Sequence, residues 1–304
     1  MQNATHHDGR FAPSPTGDLH IGNLRTALLS WLFARKADAR FLVRVEDLDR
    51  SRVKPGIEEK QLADLRSLGL EWDGEAVRQS ERTGLYDEAI RRLDEKDFLY
   101  PCFCTRADVR AASSAPHGIP GHYPGTCRNL TERERAEREA SGRPFALRVR
   151  GEGARVVFED RLLGGQNYPV DDFVVWRNDG SPAYQIAVVV DDAEQRIGEV
   201  VRGADLVDST PRQLFLADLL GLDAPRYAHV PLVLGPDGER LAKRHGAVTM
   251  ADREEAGETP EDVLAWMAHS LGLAEAGEEP GLDTLLARFD PALIPTDPTI
   301  WRPR

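Results

Sequence analysis

Cysteine is scarce in this chain: there are three in 304 residues, all between Cys102 and Cys127. So few thiols, crowded into one stretch, exclude a disulfide framework and make the cytoplasm the expected location. No apolar run approaches the ~20 residues that a bilayer-spanning helix requires, and no signal peptide is recognisable, so no membrane partner is expected. Positive charge is also short, with 39 Lys and Arg against 51 Asp and Glu and a net charge of −12. That balance excludes indiscriminate nucleic-acid binding, because phosphate contacts need Lys and Arg. It leaves room for a nucleic-acid substrate held on one basic face. Internal repeats and low-complexity tracts are absent. What is present is an ordinary globular composition: 41% hydrophobic residues exclude disorder over most of the chain, and the length suits roughly two domains of ~150 residues.

Pro13 and Pro15 forbid a helix over 10–15, which predicts a short strand or extended turn there, followed by turn chemistry at Gly17-Asp18. Leu24, Ala27, Leu28, Trp31 and Leu32 fall at helical spacing, in a pattern that ends near Lys36. Phe41-Leu42-Val43-Arg44-Val45 reads as a buried strand. Strand, glycine turn, helix and strand open a parallel α/β sheet, whose ligands sit beyond the carboxyl ends of the strands. Residues 10–22 and Glu46 are thereby expected on one rim. Further helices are predicted over 56–70, 84–97, 131–140 and 211–220, with strands over 145–150 and 155–160. Residues 173–176 and 184–190, separated by Asn178-Asp179-Gly180, read as a β-hairpin. Residues 260–304 read as helical and punctuated by proline.

Two distant segments carry the chemistry. The first runs Arg10-Phe11-Ala12-Pro13-Ser14-Pro15-Thr16-Gly17-Asp18-Leu19-His20-Ile21-Gly22-Asn23. Its glycines let a nucleotide approach the backbone, its helix start favours phosphate charge, and His20 can donate to phosphate oxygens. The second, Arg240-Leu241-Ala242-Lys243-Arg244, offers a lysine on a glycine-flanked loop. Together they suggest chemistry at an ATP α-phosphate. A third constellation is Cys102-Phe103-Cys104 with Tyr123-Pro124-Gly125-Thr126-Cys127. Two thiolates one residue apart can chelate one ion, and three sulfurs with one further donor suit tetrahedral Zn²⁺. From the residues alone that donor is His117, His122 or Tyr123, with His the usual choice.

The first two segments resemble the signatures of class I aminoacyl-tRNA synthetases, and more narrowly of their glutamyl group. The "HIGH" signature corresponds to His20-Ile21-Gly22-Asn23 and the "KMSKS" signature to Arg240-Leu241-Ala242-Lys243-Arg244. Asn23, Arg240 and Ala242 stand where the signature names have His, Lys and Ser. The resemblance implies that His20 and Lys243 are catalytic, and that His20, Gly22, Asn23 and Lys243 bind ATP with its Mg²⁺. It implies a glutamate pocket of Arg10, Phe11, Ala12, Pro13 and Ser14 with Glu46, Tyr184 and Arg202. Arg10 and Arg202 would grip the side-chain carboxylate, for which a planar guanidinium is suited, and Glu46 the α-amino group. The cysteine pattern is similar to that of a compact glutamyl-type branch. There the tyrosine completes the metal set, which implies one zinc per chain on Cys102, Cys104, Tyr123 and Cys127.

The implied fold is an α/β, Rossmann-type parallel sheet with a zinc-bearing insertion and a helical, stem-contact-like carboxyl-terminal region. Residues 1–100 and 166–225 would form the two halves of the catalytic domain, 101–165 the insertion, and 226–304 the signature loop and helical region. Only ~60 residues follow Lys243, too few for an anticodon-binding domain of normal size. Members of the compact branch activate L-glutamate with ATP without bound tRNA, then attach it to the queuosine base in the anticodon of tRNA(Asp). The expected partners are thus ATP, L-glutamate and queuosine-bearing tRNA(Asp), with the chain a monomer. Three alternatives stand beside this reading: a shortened enzyme charging tRNA(Glu), another nucleotidyltransferase with a similar first signature, and a non-catalytic tRNA-binding zinc protein.

Overall fold

The protein is described by a computed structural model, covering residues 8–302 except 106, 110–122, 152, 242 and 247. Strand β1 (Asp8–Phe11) leads through the proline-rich turn into helix α1 (Ile21–Lys36), which returns to β2 (Phe41–Val45). β1 and β2 pair in parallel, Arg10 beside Leu42 and Phe11 beside Val43. α1 buries most of its circumference, including Leu24, Leu28 and Leu32 and also Leu29 and Phe33, because it lies between the sheet and the carboxyl-terminal helices. Gly9 permits that close layer: a Cβ there would stand 3.1 Å from the Cβ of Ala34. α2 (Ile57–Ser67), the two-residue β3 (Val77–Arg78) and α3 (Thr83–Asp94) complete the first half.

β4 (Leu99–Cys102) starts a second, antiparallel sheet. After α4 (Glu132–Ala140), β5 (Ala146–Val149) pairs with β4 and with β8 (Phe173–Trp176). Between them β6 (Arg155–Asp160) and β7 (Gly164–Pro169) form a hairpin that joins the main sheet. α5 (Tyr184–Glu194), β9 (Ile197–Gly203), α6 (Thr210–Leu220) and β10 (Arg226–Val230) follow. The main sheet has the order β3-β2-β1-β9-β10-β6-β7, parallel except for the β7 edge. Its connections run outward in opposite directions from β1 and β9, so the sheet's switch point lies between these two strands, where ligands of open parallel sheets bind.

The expected hairpin over 173–190 is corrected. Its turn exists, with Gly180 at φ +82° and Arg177 N–H donating to Ser181 O at 2.8 Å, but Tyr184–Glu194 is a helix. In the run Ile186-Ala187-Val188-Val189-Val190 all but Ala187 are β-branched, which costs a helix about 0.5 kcal/mol for each such residue. Burying each such side chain against α3 and α6 offsets that, at about 1.5–3 kcal/mol apiece.

The two-residue strand β11 (Val233–Leu234) leads into the late loop, after which come α7 (Met250–Glu255), α8 (Pro260–Ser270), α9 (Leu282–Arg288) and β12 (Thr299–Ile300), the last paired in parallel with β11. These helices close the main core against α1, with Phe33 edge-on to Phe289 at 5.1 Å. The buried Arg25 of α1 fastens them. Its guanidinium donates to Pro231 O at 2.7 Å, Thr299 Oγ1 at 2.6 Å and Ser270 Oγ at 3.2 Å. Burial without a carboxylate beside it lowers its pKa to about 10, so it stays charged at neutral pH. The strand end that carries the late loop is thereby tied to the helix that carries His20. Among the described residues, no helix is long and apolar enough to cross a membrane.

Candidate active site

The two sequence segments meet at the switch point. A cavity of about 730 Å³ opens beyond the carboxyl ends of β1 and β9. The expected glutamate-pocket residues Arg10, Phe11, Ala12, Pro13, Ser14, Glu46, Tyr184 and Arg202 all line it. So do His20, Gly22 and Asn23 from the other end of the turn, and Arg240 and Leu241 from the late loop.

The turn between β1 and α1 is held open by neighbours that give it hydrogen bonds. Gln61 Nε2 donates to Ser14 O at 3.0 Å and Gly17 O at 2.7 Å. Glu46 N–H donates to Pro13 O, and Lys54 N–H to Pro15 O. His20 caps α1: its Nδ1 accepts from Asn23 N–H at 3.3 Å while Asn23 Oδ1 accepts from His20 N–H at 3.1 Å, a reciprocal capping box. An accepting Nδ1 places the ring proton on Nε2, so His20 is a neutral donor. Burial lowers its pKa, opposed by Asp205 and a backbone hydrogen bond. Gly22 makes room for that ring: a Cβ would stand 3.1 Å from His20 Nδ1 and 3.3 Å from Val233 Cβ.

The late loop is clasped to the same helix start. Ile21 N–H donates to Val248 O at 2.7 Å, and His20 bridges Thr249 in antiparallel fashion. Inside the loop, Asp237 Oδ2 bonds His245 Nε2 at 3.0 Å and Arg244 Nη2 at 3.3 Å. Gly235 lets the His245 ring pack there, since a Cβ would lie 2.5 Å from it. Arg240 forms an ion pair with Asp205, just past β9. The backbone of Lys243 starts a single turn, Lys243–His245. The Lys243 side chain and Ala242 lie outside the described residues, and with them the expected phosphate contact.

The floor is a network of buried charge. Asp192, from the end of α5, accepts from Arg10 Nε at 3.2 Å and from Arg44 Nη1 at 2.8 Å. Arg44 also donates to Gln195 Oε1 at 2.8 Å and stands 3.7 Å from Glu46 and 3.8 Å from Asp191. Burial works against the Arg44 charge, but Asp192, Glu46 and Asp191 more than offset it, so its pKa is raised. Burial likewise raises Glu46, with Arg44 and Arg10 pulling the other way. Asp191 accepts from Gln79, Arg82 and Tyr86, which fixes α5 against α3. Arg202 is held differently, by His229, Gln213, Thr210 and the Leu206 carbonyl.

Sequence reasoning missed Asp192, Arg44, Gln61 and His229. A charged residue inside Phe-Leu-Val-Arg-Val and two aspartates closing an apolar run were the signals for the first two, because buried charges require partners. Gln61 and His229 gave none.

The cysteine cluster sits at the end of β4. Cys102, Cys104 and Cys127 place their sulfurs within 4.8 Å of one another, and all three thiols are free. Tyr123 Oη lies 3.4 Å from Cys102 Sγ and 3.7 Å from Cys104 Sγ. Arg138 Nη1 is 3.4 Å from Cys127 Sγ. Burial pushes Cys104 up to about 12 and raises Tyr123. Cys127 also feels burial, but the Phe103 backbone and its cluster neighbours carry its pKa below the ordinary value. Three sulfurs and a phenol facing one point can hold a metal ion. His117 and His122, the other expected donors, lie outside the described residues.

The capping geometry makes a prediction. In ¹⁵N NMR spectra His20 should be the neutral, Nε2-protonated tautomer at pH 7 and should gain a proton only below its ordinary value of 6.5. A proton on Nδ1, or a midpoint above that value, would contradict the cap.

The catalytic-domain model of class I tRNA synthetases (E and Q) matches residues 8–280. A glutamyl-Q tRNA(Asp) synthetase of Nocardia farcinica is 58% identical over 292 residues, covering 96% of this chain and 92% of that protein. One from Symbiobacterium thermophilum is 50% identical over 304 residues, covering 95% and 94%. The crystal structure of a glutamate tRNA ligase from Elizabethkingia meningosepticum in complex with its amino acid matches with a TM-score of 0.84 at 29% identity, over 97% of this chain and 67% of that one. Family model, relatives and fold agree: the chain belongs to the class I tRNA synthetases of the E and Q type.

Proposed function

We propose that this enzyme activates L-glutamate with ATP in the absence of tRNA and then transfers it to the queuosine base in the anticodon of tRNA(Asp). The observation that carries the reading is the shared cavity, in which two buried arginines and the start of α1 face the same space. The names of the two bacterial relatives supply the acceptor.

In the first step an oxygen of the glutamate α-carboxylate attacks the ATP α-phosphorus, a P–O bond forms, and the bond to the pyrophosphate oxygen breaks. A carboxylate is already a nucleophile, so the protein has to position reactants and spread negative charge. Arg10 and Arg202 take the side-chain carboxylate and Glu46 the α-ammonium group. Tyr184 closes one wall, while Phe11, Ala12, Pro13 and Ser14 shape another. His20 donates from Nε2 to phosphate oxygens without bringing a full charge, Gly22 and Asn23 keep the helix start open to them, and Lys243 adds a cation from the loop. Mg²⁺ arriving with ATP neutralises phosphate charge. In the second step a hydroxyl of the queuosine cyclopentene ring attacks the mixed anhydride and AMP leaves.

The cysteine cluster is read as a zinc site. Zinc bonded at ~2.3 Å sets tetrahedral sulfurs ~3.8 Å apart, and Cys104 and Cys127 are already 3.5 Å apart. Cys102 and Tyr123 would complete the set. We read residues 101–165 as the region that carries the zinc site, its β6 and β7 part being joined to the main sheet, and 226–304 as the stem-contact-like region, with the enzyme a cytoplasmic monomer.

Two outcomes are expected. Labelled glutamate with ATP should appear on tRNA(Asp) that carries queuosine and not on the same tRNA lacking it; label on the terminal ribose of tRNA(Glu) would favour the tRNA(Glu)-charging alternative. Elemental analysis should find about one zinc per chain, as a single tetrahedral site requires, and metal-free protein with normal folding would leave the cluster without this role.

A further inference from the structure

We infer that His229, held by Asp160, is a positioning residue for Arg202: its neutral ring fixes the guanidinium in the orientation that receives the substrate's side-chain carboxylate. The inference rests on the glutamate-activating reading above and extends it to residues that do not line the cavity.

The two buried arginines of the cavity are built on different principles. Arg10 is oriented by a carboxylate in direct contact, Asp192. Arg202 is oriented by neutral acceptors: Nε donates to His229 Nε2 at 3.1 Å, Nη1 to Gln213 Oε1 at 2.8 Å, and Nη2 to Thr210 Oγ1 at 2.7 Å and Leu206 O at 3.3 Å. A guanidinium has five N–H donors, so these four bonds leave one, on Nη1. Direct pairing with a carboxylate would cancel much of the charge that a ligand feels. Neutral acceptors fix the direction and leave the charge to the ligand.

The Nε bond demands one tautomer. His229 Nε2 accepts only if the ring is neutral with its proton on Nδ1. Asp160 enforces that state, with Oδ2 2.6 Å from Nδ1. The carboxylate is itself pinned by the backbone N–H groups of Leu162 and Leu163, at 3.0 Å each, and of His229. The charged groups around the ring are Asp160 from β6 and Arg202 from β9, with Asp205 acting at longer range from beyond β9. Thr210 of α6 touches Nε2 at 3.1 Å, and the Tyr227 ring stacks at 5.9 Å from its own strand. Burial lowers the His229 pKa although Asp160 favours its protonated form. A second proton would turn Nε2 into a donor facing a donor and set two cations together. Arg202 would then have to turn away, and the carboxylate subsite would be lost while the ATP subsite stayed intact.

Glutamate-dependent ATP–pyrophosphate exchange, measured between about pH 5.5 and 8, tests this across the range where an imidazole titrates. His229→Ala should raise the glutamate KM by about 10- to 100-fold, the scale of a lost hydrogen bond to a charged group, and leave the ATP KM nearly unchanged. His229→Gln offers an amide oxygen where Nε2 stood. It should recover most of the glutamate affinity and reduce the acid-side rise in glutamate KM that the unaltered enzyme shows to the part that Glu46 contributes. A folded His229→Ala enzyme with an unaltered glutamate KM, or a His229→Gln enzyme whose acid-side rise is undiminished, would overturn the inference. If His229→Ala does not fold, ¹⁵N NMR of the unaltered protein decides: a proton on Nδ1 alone supports the inference and a proton on Nε2 overturns it. An unaltered enzyme that performs no glutamate-dependent exchange would instead defeat the proposed activity, and the two failures are distinguishable.

Discussion

Arg10 on β1 and Arg44 on the neighbouring parallel strand β2 are both buried, and two buried cations this close call for a shared carboxylate. Asp192 supplies it, and much of the architecture follows. The carboxylate must arrive from outside the sheet, at the carboxyl ends of β1 and β2, and the end of α5 delivers it. Asp191, one residue earlier, turns to Gln79, Arg82 and Tyr86, so α3 and α5 are locked together by the adjacent charge. Removing one member of such a buried set costs about 3–5 kcal/mol, because a charge is left unpaired. A hydrophobic replacement of the whole network would be tolerated by the fold and would erase the pocket. On the proposed function the network serves the pocket more than it serves stability.

The same constraint explains how segments more than two hundred residues apart share one cavity. The switch point between β1 and β9 opens the sheet edge, Arg10 and Arg202 stand on the two sides of that opening, and α1 begins above it. The late loop is brought there by a backbone bond from Ile21 to Val248 and by the buried grip of Arg25 on Pro231 before β11, on β12 and on α8. Arg240 then reaches Asp205 across the mouth. An arginine in place of the signature lysine thus has a partner in this chain.

Much of this was legible in the sequence where local rules apply. Prolines, the glycine turn and helical spacing placed β1, α1 and β2, and His20, Gly22, Asn23, Arg240 and Leu241 of the two signatures line one cavity. What failed was Tyr184–Glu194, because a β-branched run is a weak vote that burial on both sides outweighs. What was invisible were partners remote in sequence: Asp192 for Arg10, Asp160 for His229, Gln61 for the turn. A residue's charge announces that it needs a partner but not which one, and only the topology brings them together. The cysteines were legible as a set because their spacing is local, and Tyr123 was assigned by resemblance, which its 3.4 Å approach to Cys102 suits.

The central claim is that the amino-terminal turn and the late loop act on one activated glutamate. A crystal structure with a non-hydrolysable glutamyl-adenylate analogue tests it most directly. The account predicts the analogue's phosphate between His20 and Lys243 and its side-chain carboxylate on Arg10 and Arg202. An analogue seated elsewhere, or a phosphate that only one of the two segments touches, would contradict it.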